Sequence, residues 1–149
     1  MIRRTTLALA SLVFVLFSGG LAFTQTTEAP YIEGPVWDIS FIRTTYGLED
    51  DYLKSLAQSY KKIMEEAKKQ NLVLSYHIIS ANAVNADDWN LLLMVEYKNM
   101  AALDGLDAKF RAIQAKIVGN EDAQRNLMVK RLEVRKVLGD KLGRELFLK

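Results

Sequence analysis

Hydrophobic spacing divides the chain into strands and helices. From Val36 to Thr44 (VWDISFIRT) apolar and polar residues alternate among β-branched and aromatic side chains, which predicts a strand. That alternation puts Trp37, Ile39 and Phe41 on one face and Asp38, Ser40 and Ile42 on the other. From Leu48 to Gln70 the spacing changes to threes and fours. Tyr52, Leu53, Leu56, Tyr60, Ile63, Met64 and Ala67 then form the apolar stripe of a helix. Glu49, Asp50 and Asp51 in its first turn, with Lys68 and Lys69 in its last, complement the helix dipole. Strand character returns over Leu72 to Ala81 and again over Trp89 to Tyr97, the most apolar strand. Trp89, Leu91, Leu93, Val95 and Tyr97 share a face of the latter. The short polar loop from Asn82 to Asp88 predicts that the two strands form an antiparallel hairpin. Asn99 is placed to cap a helix from Met100 to Val118 that Gly119 closes. Asn120 is placed to cap another, running to Leu138 and stopping at Gly139, although the alternation in Lys130 to Val134 also permits a strand. A terminal strand, Leu142 to Lys149, completes the pattern.

The resulting order is β-α-β-β-α-α-β, an α+β class. Without the extra helix it is the ferredoxin-like split βαβ arrangement, an antiparallel sheet with helices on one face and the first and third strands in the middle. In element order, residues 36–149 resemble the dimeric α/β-barrel superfamily. That resemblance implies two sheets packed through their open faces, and it carries little about function by itself.

The amino-terminus changes the picture of where the domain begins. Arg3 and Arg4, the apolar run Leu7 to Phe17, and the small residues from Ser18 to Ala22 read as a secretory signal peptide over residues 1–24. Residues 25–35, with both prolines, read as a flexible linker. The expected product is an exported periplasmic or extracellular domain, with no membrane span after cleavage; the alternative is that the apolar run stays as an uncleaved membrane anchor.

Composition narrows the chemistry. The 149 residues suit one domain with a real core, and cysteine is absent, which excludes disulfide scaffolds, thiol catalysis and cysteine-metal sites. The formal net charge is +2, equal to the two arginines of the leader, so the body is neutral and nucleic acid is not an expected partner. No nucleotide-binding glycine loop or GxSxG motif occurs in the mature chain, and no cofactor is expected.

With the first strand phased as above, the open face carries Asp38, Ser40, Ile42, Ser75, His77, Ile79, Asn90, Leu92, Met94, Glu96, Glu145 and Phe147. Its apolar members call for a cover, and a homodimer through this face is the expectation. His77 is the chain's single imidazole and the natural general base. Asp38 or Glu96 is placed to orient it and Asn90 to hold an oxyanion; the competing reading is an ordinary strand histidine. A histidine on a strand differs from the helical histidine of haem-degrading members of the superfamily. Arg131 and Arg135, four apart at the edge of an apolar stripe, suit a carboxylate or phosphate, or else pair with carboxylates of the domain. Residues 125–149 hold eight basic and three acidic residues. The leading expectation is a non-catalytic module that binds a small, partly apolar molecule or simply assembles. The alternatives are a cofactor-free oxygenase or isomerase using His77, and a cell-envelope accessory subunit.

Overall fold

The structure, a computed structural model, describes residues 28–149. The signal-peptide reading of residues 1–24 lies outside them. Strand β1 (Tyr31–Thr44) leads to helix α1 (Glu49–Ser55), which passes through a π turn (Leu56–Tyr60) into α2 (Lys61–Lys69). Strands β2 (Ser75–Ser80) and β3 (Leu91–Tyr97) form the hairpin. A 3₁₀ turn (Met100–Leu103), helices α3 (Leu106–Ile117) and α4 (Glu121–Val134), and strand β4 (Arg135–Leu148) follow. The sheet order is β2-β3-β1-β4, and every neighbouring pair is antiparallel. With the helices packed on one face, this is the ferredoxin-like fold.

Both ends of the domain differ from the sequence expectation, and for one reason. β4 is fourteen residues long and offers partners along its whole length. At its far end Leu148, Phe147 and Leu146 pair with Tyr31, Ile32 and Glu33, so residues 31–35 are strand rather than linker. The register slips between Glu33 and Val36. Pro35 has no N–H to give a ladder, which suits a bulge. A Cβ at Gly34 would stand 2.6 Å from Phe147 Cε2 and 3.1 Å from the Glu145 carbonyl oxygen, so a larger residue would have to displace the half-exposed Phe147 ring. At its near end Arg135 and Lys136 pair with Thr44 and Arg43, so the last helix stops at Val134 and not at Leu138. A second irregularity, between Phe41 and Ile42, absorbs Leu138.

The caps act locally as the sequence proposes. Asn120 Oδ1 accepts from the Ala123 N–H at 3.0 Å. Asn99 Oδ1 accepts from the Ala102 N–H at 3.0 Å, but it caps only the 3₁₀ turn. Gly105, at φ 66°, breaks the expected single helix before α3 begins.

The phase of β1 is the main correction. Val36, Asp38, Ser40 and Ile42 stand opposite Tyr97, Val95, Leu93 and Leu91 of β3, whose buried side chains face the helices. Val36 and Ile42 are fully buried in two adjoining clusters, with Ile63, Met64 and Ala67 of α2 and with Tyr52 and Leu56 of the first helix. Trp37, Ile39 and Phe41 therefore lie on the open face, and Asp38, Ser40 and Ile42 do not. β1 has large apolar residues in both phases, so alternation within it could not choose. Pairing with β3 does.

Candidate functional site

The open face places His77 opposite Met94 and beside Trp37, whose ring centroid lies 5.8 Å from that of the imidazole. His77 Nε2 is 3.4 Å from Ser75 Oγ, which donates its proton to Glu96. Glu96 is thus the carboxylate brought near the imidazole, through a serine that the alternation placed on this face without assigning it a role. Asp38 is not brought there, because it points to the helix side of the sheet. Nor is Asn90. Its Oδ1 accepts from the Thr44 N–H at 2.8 Å, and its amide nitrogen donates to Thr44 Oγ1 and, at 3.1 Å, to Glu49. Asn90 ties the ends of β1, β3 and α1 together, so His77, Asp38 and Asn90 form no common site.

Around the imidazole the face is apolar. Trp37, Ile39, Phe41, Ile79, Leu92, Met94 and Phe147 lie on it, with Ile79 44% and Phe147 49% exposed. Charge sits at its ends and, with Lys141, in its middle, where Lys141 pairs with Ile39 and lies over the Phe41 ring, 5.6 Å from its centroid. Arg43 and Lys136 pair at one end of the β1–β4 ladder; Glu96 and Glu145 stand toward the other, where Trp37 Nε1 donates to Glu145 at 3.2 Å.

Beneath the sheet, Asp38 sits in a groove with Asp107 of α3 and Asp140 of β4. Burial first, and the Asp140 charge second, push the Asp38 carboxyl above its ordinary value. Asp140 accepts a hydrogen bond from the Ser40 hydroxyl. In the same layer the Tyr97 phenol is pushed up to about 12 by burial and then by Asp38.

Arg131 and Arg135 do converge. The first is in the last turn of α4 and the second opens β4, whose N–H bonds back to the Arg131 carbonyl. Both line a cavity of about 360 Å³ between α2, α3 and α4. Its other walls are Ile63, Val118, Leu127 and Met128, with Gln114, Gln124 and Arg125. Arg131 donates to Ser59 Oγ at 2.7 Å and to Ser55 Oγ at 3.3 Å. The π turn presents these hydroxyls, and Ser59 also donates back to the Ser55 carbonyl at 2.9 Å. The Arg135 guanidinium lies over the Tyr52 ring, 5.3 Å from its centroid. Arg135 Nε and Nη1 are buried without a hydrogen-bond partner. Burial lowers the Arg131 pKa, and the Arg135 charge lowers it further. Among the described residues neither arginine has a salt-bridge partner. The four-residue spacing signalled this pair; the π turn that positions the serines has no sequence signature.

Among the described residues no cluster of three or more metal-ligating side chains occurs, and no helix is long and apolar enough to cross a membrane. No protein-family model matches the sequence, and no curated protein is similar enough in sequence to count as a relative. Solved structures resemble this one at low identity. A dimeric ferredoxin-like protein from an uncultured marine organism is 17% identical, over 78% of this chain and 90% of its own, with a TM-score of 0.49. HapK from Hahella chejuensis is 12% identical, over 74% of this chain and 91% of its own, with a TM-score of 0.47. A nipsnap family protein with unknown function from Agrobacterium tumefaciens is also 12% identical, over 78% of this chain and 90% of its own, with a TM-score of 0.47.

Proposed function

We propose that this chain is an exported, non-catalytic binding and assembly module that works as a homodimer closed through the open face of its sheet. The uncovered apolar face carries the reading. Seven large apolar side chains on one flat surface, from Trp37 to Phe147, gain by leaving water together. A second copy fits this surface in polarity and, at its two ends, in charge, with Lys141 standing near the middle. A two-fold axis lying between the sheets and perpendicular to the strands sets the end with Arg43 and Lys136 against the end with Glu96 and Glu145. The non-catalytic part is supported by Asn90, which is tied to Thr44 and Glu49 away from His77, and by the indirect link of the imidazole to Glu96 through Ser75.

Sedimentation at micromolar concentration tests the dimer. The expected mass is twice that of the monomer, and Met94→Lys, at the middle of the face, reduces it to one copy with an unchanged circular dichroism spectrum. A wild-type monomer overturns the dimer. A stoichiometric foreign partner recovered with that monomer moves the face to a heteromeric accessory role.

A further inference from the structure

We propose that the cavity between α2, α3 and α4 binds the carboxylate of a small molecule with an apolar tail, gripped by Arg131 and Arg135. This deepens the binding-module reading and rests on it, but it does not depend on the dimer, because the cavity lies within one subunit.

The donor set is cationic and unbalanced. Three arginines and two glutamines supply the polar lining, and among the described residues no carboxylate lines the cavity. Two guanidiniums sharing one partly buried space repel each other and have each lost hydration. Internal hydroxyls answer Arg131, whereas Arg135 is left with Nε and Nη1 unpaired. Arg135 is thus a buried cation whose charge no carboxylate among the described residues balances. The charge needed to balance the pair is therefore the ligand's own. The C-terminal end of α4 offsets part of the positive charge but offers its carbonyls, not an anion.

The rest of the wall fixes the ligand class. Ile63, Val118, Leu127 and Met128 make the remainder apolar, which suits a hydrocarbon tail and leaves a multiply charged head poorly solvated. A volume of about 360 Å³ is at the small end of ligand pockets, so the tail is short. The planar guanidinium matches a planar carboxylate.

Calorimetry with sodium octanoate tests the assignment, with octan-1-ol and inorganic phosphate as controls. One octanoate is expected per chain, bound at least about tenfold more tightly than either control, since a hydrogen bond to a charged group accounts for roughly a tenfold factor or more. Arg135→Gln is expected to weaken octanoate by about 10- to 100-fold. Arg125 is exposed at the rim, so Arg125→Gln folds even if the buried variant does not, and it is expected to weaken octanoate by a smaller factor. Equal binding of octanol overturns the carboxylate while leaving the module a binder of apolar molecules. Equal binding of phosphate overturns the apolar tail. Octanoate binding that neither arginine variant alters overturns the site. No octanoate binding by an intact dimer overturns the cavity and leaves the assembly reading standing.

Discussion

The two faces of this sheet share every backbone hydrogen bond and differ only in what covers them. On the helix side Val36, Ile42 and Leu91 are at most 1% exposed and pack against α1 and α2. On the other side their immediate neighbours Trp37, Phe41 and Leu92 are partly exposed, and among the described residues no helix or strand lies over them. Both faces are nonetheless apolar. A strand with one face in water alternates with polar residues; β3 (LLLMVEY) has a single charge, at Glu96. The open face thus has the composition of an interior without one. The covered face reverses the anomaly: it is the intramolecular core, yet it holds Asp38 and Asp140 at one groove and the arginine pair at another.

Four substitutions sharpen or break this contrast. The largest effect is expected from adjacent leucines of β3. Leu91→Ala opens a cavity in the intramolecular core and costs about 2–5 kcal/mol in chemical denaturation, independent of protein concentration. Leu92→Ala is expected to act only through the proposed dimer, so its effect is largest where the wild type is fully dimeric and fades on dilution below the dissociation constant of the dimer. Equal, concentration-independent losses at both positions would end the distinction between the faces. An intermediate effect is expected at the sheet's end. Asn90→Ala leaves the Thr44 N–H without its acceptor and costs about 1–3 kcal/mol in thermal unfolding, while leaving the sedimentation mass of the dimer unchanged. A change of mass instead would place Asn90 in the interface. The smallest effect concerns Asp38. Its folded pKa is raised, by burial and then by Asp140, so protonation favours the folded state. The stability tied to that proton is full below the unfolded pKa, about 4, and is lost as the pH rises through the folded one. Asp38→Asn is therefore expected to raise the Tm modestly at pH 7, with the gain shrinking to nothing as the pH falls toward 4. A lowered Tm at pH 7 would make the Asp38 charge stabilising and contradict its placement.

The elements were legible because each carries its own period. The stripe from Tyr52 to Ala67 is helical, with a π turn in its middle, and β3 is a strand whose odd-numbered residues are all buried. Asn120 caps its helix through contacts three residues away, which sequence spacing alone encodes. From these the ferredoxin-like order follows, as do a neutral, cysteine-free body and an arginine pair at helical spacing.

Other features depended on partners distant in the chain. The phase of β1 was set by Leu91, Leu93 and Val95, because VWDISFIRT is apolar on both sides and only cross-strand pairing breaks the tie. Where β4 begins was set by Arg43 and Thr44 of β1, which draw Lys136 and Arg135 out of the helical pattern. Asp38, Asn90 and His77 share a list in one dimension and three different surroundings in space, since a one-residue change of phase moves a side chain through the sheet. Arg131 and Arg135 stayed together because backbone geometry over four residues is local, while the hydroxyls and the ring that receive them come from about 75 positions earlier and needed the fold to arrive.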